Sequence, residues 1–191
     1  TSTEETLSRS PIDVVYDVYP EATINADAIV SATGTQIATV NENSVDNYIG
    51  GGFVIQANTG TPNVTEITLT ENGTVDGSTS LENIKLYYDL DTTVPRDCTG
   101  EVYNAGSDSQ FGATDADGFS SANGTSTFSG TVGISTTQSL CLYVVLDVNA
   151  TSTNGETIDI QISAPNSEVV ISVGSVAPGS TVGITGSTTI A

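Results

Sequence analysis

Apolar residues that alternate with polar ones are the feature that most restricts the fold of this chain. Ile158, Ile160 and Ile162 alternate with polar residues, which is typical of a strand with one face in a core and one in water. Residues 140–148 are apolar on both faces up to Asp147, as expected for a central strand. Further strand-like runs lie between turn residues: residues 22–31, 34–41, 48–57, 64–70, 82–89, 169–173 and 181–190.

This spacing predicts an all-β protein, a single antiparallel β-sandwich of jelly-roll or immunoglobulin-like type. A hydrophobic content of 37% is too high for a disordered chain. No shift in composition divides the sequence, so residues 21–191 are expected to form one domain. Residues 1–10 are polar and are predicted to be a flexible lead-in.

Residues 11–20 form an amphipathic strand pattern with a proline at each end. Its apolar face consists of Ile12, Val14, Tyr16 and Val18. Tethered by a polar lead-in, such a strand can pair with the open sheet edge of a neighbouring subunit. Repeated head to tail, this contact does not close and therefore yields a filament. The alternative is an ordinary first strand within its own sheet.

The periodicity fails between residues 89 and 129, where Asp, Gly and Ser are frequent. The sequence predicts a long acidic loop here, and insertions of such length usually carry function or a metal. Calcium takes hard oxygen ligands, and the candidate ligands are Asp89, Asp91, Asp97, Glu101, Asp115 and Asp117. The spacing does not complete an EF-hand loop. The alternative is a set of acidic residues selected for turn geometry.

The charge and the missing residue types exclude several classes of function. A net charge of −20 makes contact with nucleic acid or an anionic membrane repulsive. The chain has no His, so Ser-His-Asp and Cys-His catalysis each lack a member. A carboxylate pair of the glycosidase type remains, but the chain has no Trp to form a sugar platform. We therefore expect a protein that is not an enzyme, has no organic cofactor and does not insert into membranes.

Cys98 and Cys141 are the only cysteines and are predicted to form a disulfide, the alternative being two buried thiols. The sequence begins at Thr1 without a Met, so we expect a removed signal peptide and an extracellular or cell-surface location. Four sequons permit N-linked glycans: Asn63, Asn72, Asn123 and Asn149.

In its size, its polar start, the strand of residues 12–18 and its Ser/Thr/Gly/Asp-rich texture, the whole chain resembles the secreted β-sandwich subunits of donor-strand extracellular filaments. These are the TasA-like biofilm fibre proteins, the archaeal bundling pilins and the cannula proteins. The resemblance implies that residues 12–18 complete the sheet of the next copy in a head-to-tail homopolymer. It also implies calcium, held by the carboxylates of residues 89–117, at the contacts. The cysteine pair is a departure from that pattern.

Two other functions remain open from the sequence. One is a monomeric carbohydrate-binding or adhesin module with aromatic residues near its site, namely Tyr87, Tyr88, Tyr103, Phe111 and Phe119. The other is an S-layer-type tile, which differs from a fibre subunit mainly in forming two-dimensional sheets.

Overall fold

The structure is a computed structural model and describes residues 26–191. Residues 1–10 and the candidate donor strand, residues 11–20 with Ile12, Val14, Tyr16 and Val18, lie outside the described residues. The described part contains fifteen strands and one helix of four residues, so the all-β prediction is confirmed. Within residues 26–191, no helix has the length and apolar character needed to span a bilayer.

The strands and the helix follow one another along the chain as listed here. They are β1 (Ala28–Thr33), β2 (Thr39–Val40), β3 (Ser44–Tyr48), β4 (Gly52–Ala57), β5 (Asn63–Glu71), β6 (Leu81–Asp91), β7 (Ser109–Gln110), β8 (Thr125–Gly133), β9 (Ser139–Val148), β10 (Thr157–Ile158), β11 (Ile160–Ile162), α1 (Pro165–Glu168), β12 (Val169–Ile171), β13 (Val176–Ala177), β14 (Val182–Gly183) and β15 (Thr188–Ile190).

The larger sheet has seven strands in the order β13-β1-β4-β9-β6-β7, and β3 also pairs with β9. β9 lies at its centre, with β6 along one side and with β4 and β3 sharing the other. Every residue of β9 is buried, which confirms the predicted central strand. Leu140, Leu142 and Val144 face the main core, whereas Cys141 and Tyr143 belong to a second cluster on the opposite face.

A second sheet of five strands is organised around β5. β8 pairs along one side of β5, β12 and β11 pair along the other, and β14 follows β11. A third, small sheet has the order β10-β15-β2. The predicted alternation of Ile158, Ile160 and Ile162 is confirmed, since all three are fully buried. The run nevertheless serves two sheets, because the chain crosses from β10 to β11 at Asp159.

The two larger sheets share one hydrophobic core. Phe53 and Leu142 enter it from the larger sheet, and Ile67 and Phe128 enter it from the second sheet. Most strand pairs are antiparallel, but β1 pairs with β13, and β2 with β15, in parallel. The expectation of a purely antiparallel arrangement is therefore wrong at these two pairs.

Two predicted strands are broken up in the structure. The run at 34–41 contributes only β2, and the run at 48–57 is divided by Gly50 and Gly51, which both have positive φ. A Cβ on Gly51 would lie 2.3 Å from the Ile184 side chain and 2.9 Å from the Thr33 carbonyl oxygen. Only glycine fits this close approach and this backbone conformation, so the chain turns there instead of continuing as one strand.

The predicted boundaries of the loop at 89–129 are also wrong. β6 continues to Asp91, β7 and an isolated bridge at Asp115 pair with β6, and β8 begins at Thr125. Phe111, Phe119 and Phe128 are each only 1% exposed and belong to the main core. These aromatic residues therefore anchor the segment to the core. They are too far apart in the sequence to produce the two-residue alternation that predicts a strand.

Candidate functional site

A cluster of tyrosines covers the face of the larger sheet that is opposite the core. The cluster consists of Tyr48 on β3, Tyr87 on β6, Tyr143 on β9 and Tyr103 in the loop after β6. We call it the tyrosine face. The ring centroids of Tyr103 lie 5.1 Å from Tyr48, 5.2 Å from Tyr87 and 6.0 Å from Tyr143. Tilted aromatic pairs at such distances stabilise one another beyond simple burial, so Tyr103 fixes its loop over the sheet.

The predicted disulfide between Cys98 and Cys141 is present and lies beside the tyrosine face. The two residues are 43 positions apart, and their Cα atoms are 5.7 Å apart. Cys141 belongs to the central strand β9, whereas Cys98 lies in the loop after β6. The bond therefore joins the acidic loop covalently to β9, the most buried strand among residues 26–191.

A cavity of about 320 Å³ opens beside the disulfide. Tyr48, Tyr143, Cys98 and the exposed Val102 contribute to its lining. Tyr48 donates its hydroxyl hydrogen bond to the Gly51 carbonyl at 2.6 Å. The Tyr143 hydroxyl is buried and has no hydrogen-bond partner among residues 26–191. The walls of this cavity are mainly apolar, as those of small-molecule sites commonly are.

The partly buried Tyr48 and the buried Tyr143 keep their protons at neutral pH. Burial raises the pKa of Tyr48 to about 12, and the nearby Asp108 adds to the shift. Burial raises the pKa of Tyr143 as well, again with a contribution from Asp108. The Tyr143 hydroxyl is therefore neutral, and it is closed off from solvent.

The five aromatic residues predicted near a binding site lie in different places in the structure. Tyr87 and Tyr103 lie on the tyrosine face, and Tyr88 packs on the main core. Phe111 and Phe119 are core residues, so their expected place at a surface site is wrong. Sequence reasoning missed Tyr48 and Tyr143. For Tyr143, the two-residue step from Cys141 gave a signal, since both side chains must share one face of β9.

The first four predicted calcium ligands lie at the end of β6 and in the loop after it. The carboxylate of Asp91 is buried and accepts hydrogen bonds from the backbone N–H of Thr93 at 2.8 Å and of Cys98 at 3.1 Å. Asp97 accepts bonds from the side chain and backbone of Thr99, and these hold its pKa below the usual value. Both carboxylates therefore shape the loop that presents Cys98.

Glu101 lies near the carboxylates of Asp89 and Asp91. Burial raises its pKa, and the like charges of Asp89 and Asp91 raise it further. Asp115 lies elsewhere, because its backbone pairs with Ile84. Ile84 is five positions before Asp89, which is about 16 Å along β6. The predicted ligands thus fall into two separate places. Within residues 26–191, no group of three or more His, Cys, Asp or Glu is arranged to hold a metal.

Asp115 and Asp117 stabilise their own turn. Asp115 accepts a hydrogen bond from the Ser126 hydroxyl at 2.6 Å and a longer one, at 3.3 Å, from the backbone N–H of Asp117. Asp117 itself is exposed. These contacts agree with the turn-geometry alternative for this pair, while calcium binding by the six residues stays a prediction.

The structural role of Asp91 leads to a first prediction. Asp91→Asn should lower the free energy of unfolding by about 1–3 kcal/mol, because a buried charge-assisted pair of hydrogen bonds is weakened. Asp117→Asn is the matched control, and it should change the stability by less than about 0.5 kcal/mol. Urea unfolding with calcium and with chelator measures both. A loss seen for Asp91→Asn only in the presence of calcium would instead assign this residue to a metal.

The four sequon asparagines lie at or near the surface. Asn63, Asn72 and Asn123 are exposed, and Asn149 is partly buried. The side-chain amides of Asn123 and Asn149 donate to the carbonyls of Gly73 and Thr79. Glycan attachment stays a prediction at all four positions.

A comparison of the sequence with protein-family models finds no match. A comparison with curated proteins likewise finds no significant match.

Proposed function

We propose that the chain is a structural subunit of an extracellular filament or sheath, folded as a single β-sandwich. In this proposal it polymerises head to tail by donating residues 11–20 to a neighbouring copy. The disulfide supports an extracellular location, since such bonds persist in oxidising compartments. The net charge of −20 keeps separate copies apart and makes cations helpful for close packing, so calcium is the stabilising ion we propose.

The observation that carries this proposal is the outer edge of β8. β8 is nine residues long, and among residues 26–191 it pairs with β5 alone. Such a long edge is a template for a further strand. A cleft of about 400 Å³ separates Thr127, Phe128 and Ser129 of β8 from residues 113–115. The seven residues 12–18 fit within the length of this nine-residue edge, and their alternating side chains suit a groove with one apolar face.

In the alternative arrangement, residues 11–20 dock in their own subunit, and a second groove is the place where they would do so. It lies between β12 and β13, has a volume of about 440 Å³ and is bordered by the exposed residue Val170. The backbone N–H groups of Asp27 and Ala28 donate to the Ser175 carbonyl at its rim. The chain therefore enters β1 next to this groove, and an experiment must separate the two arrangements.

The proposal predicts that removing residues 1–20 abolishes assembly. The truncated chain should elute as a monomer and show no filaments by negative-stain electron microscopy, since the donated strand is gone. Its melting midpoint should equal that of the dissociated full chain. If the strand docks in its own subunit instead, the midpoint falls and assembly is unaffected.

Two point variants in the full chain sharpen this test. Val14→Asp places a charge on the apolar face of the strand and should block assembly. Asp13→Asn changes the opposite face and should leave assembly intact. Assembly that survives both the truncation and Val14→Asp would refute strand donation.

A monomeric binding module is the second candidate function, and the cavity on the tyrosine face favours it. Its mainly apolar walls, which include Tyr48 and Tyr143, suit a small ligand with an apolar face, such as a sugar. A chain with this function would stay dispersed at all calcium concentrations and would bind its ligand as a monomer.

A further inference from the structure

A carboxylate is buried at the end of β5, away from the tyrosine face and the acidic loop. Glu71 is fully buried. Its Oε1 accepts hydrogen bonds from the backbone N–H of Gly73 at 2.7 Å and of Asp159 at 3.1 Å. Its Oε2 is buried and has no partner among residues 26–191. Burial raises the pKa of Glu71 to about 7, and the charge of Asp159 contributes to the shift.

A second unpartnered oxygen belongs to a side chain that also contacts Asp159. The Gln36 side chain is only 5% exposed. Its Nε2 donates to Asp159 Oδ1 at 3.3 Å and to the Gly186 carbonyl at 2.8 Å. Its Oε1, on the same amide group, is buried without a partner in the described part of the chain. Asp159 thus contacts two buried side chains that each leave one oxygen unused, Glu71 through its backbone N–H and Gln36 through its carboxylate.

The described residues supply no positive group to these carboxylates. Lys85 forms an ion pair with Asp46 next to β9, and the backbone carbonyl of Arg96 accepts a bond from Ser139 on the far side of the larger sheet. A buried carboxylate without a counter-charge is strongly unfavourable. The unused atoms are all oxygens, the ligand type that hard cations such as calcium prefer.

We propose that Glu71, Asp159 and Gln36 form a calcium-binding site. Glu71 Oε2, the Asp159 carboxylate and Gln36 Oε1 contribute the protein ligands, and water completes the coordination. Asp159 is partly exposed and provides the route of entry. The ion joins β5 of the second sheet, the crossover between β10 and β11, and the segment before β2. The site is separate from the acidic residues after β6 and does not depend on the filament proposal.

The test is a calcium titration of the full chain at pH 8, after treatment with chelator. Calorimetry should show binding, and the melting midpoint should rise by about 5–10 °C when calcium is at 100 times its Kd. Glu71→Gln and Asp159→Asn should each weaken calcium binding by at least about tenfold. Glu66→Gln, a change to a partly exposed carboxylate on the same strand, is the matched control and should bind as the wild type does.

Glu101→Gln separates this site from the acidic loop and should retain both the affinity and the midpoint shift. Asp159→Asn keeps the test valid if Glu71→Gln does not fold. The proposal is overturned if calcium neither binds nor shifts the midpoint of the wild type. It is equally overturned if the variants at 71 and 159 keep full affinity, or if Glu101→Gln is the change that loses it.

Discussion

Phe111→Ala should lower the free energy of unfolding by about 3–5 kcal/mol. Phe111 is 1% exposed, and its backbone N–H donates to the Leu86 carbonyl on β6 at 2.7 Å. A Cβ on Gly130 would lie 3.0–3.1 Å from the ring, so the ring fills the space next to β8 closely. Truncation leaves a cavity between the two larger sheets that the rigid strands cannot close. Urea unfolding monitored by circular dichroism measures the loss.

Val102→Ala is the control for this prediction, because Val102 belongs to the same acidic region but is 75% exposed. It should change the stability by no more than about 0.5 kcal/mol. A loss below about 1 kcal/mol for Phe111→Ala would mean that residues 92–124 are a loop independent of the core.

Removing the disulfide should have an effect of similar size. The double variant Cys98→Ala, Cys141→Ala opens a loop of 43 residues, for which the chain-entropy model gives about 4 kcal/mol of lost stability. The loss acts mainly on the unfolded state, which gains conformational freedom. The loop that carries Tyr103 also loses its covalent link to β9, so the tyrosine face should become more exposed to solvent. Urea unfolding and tyrosine fluorescence quenching measure the two effects.

Reduction of the wild-type protein separates the cross-link from the side chains. The reduced protein and the double variant should lose about the same stability, since both lack the bond and differ only in two buried sulfur atoms. A double variant as stable as the oxidised wild type would show that the loop is held by its packing alone.

The sequence predicted best those strands whose residues all lie in the same kind of environment. β9 is buried on both faces and its residues 140–146 are all apolar, so the apolar run pointed to a central strand. The disulfide followed from having two cysteines only. The run at 48–57 failed because Gly50 and Gly51 turn the chain for a tertiary reason, namely the close approach of Ile184 from a distant part of the sequence.

The candidate sites were harder to predict, because they depend on contacts between distant segments. Gln36 and Asp159 are 123 positions apart, and nothing in either segment indicates the other. One local signal was available for Glu71. Ile67, Leu69 and Glu71 occupy alternate positions of β5 and share its buried face, so a carboxylate was due to enter the core. The sequence pointed to the acidic loop instead, because carboxylates are concentrated in that segment.

The central claim is that copies of this chain polymerise, and negative-stain electron microscopy of the purified full chain, with calcium and then with chelator, tests it most directly. Our account predicts long regular filaments in calcium that chelator shortens or dissolves. Flat two-dimensional lattices would indicate an S-layer-type tile instead. Dispersed particles under both conditions would contradict the structural role and favour the monomeric binding module.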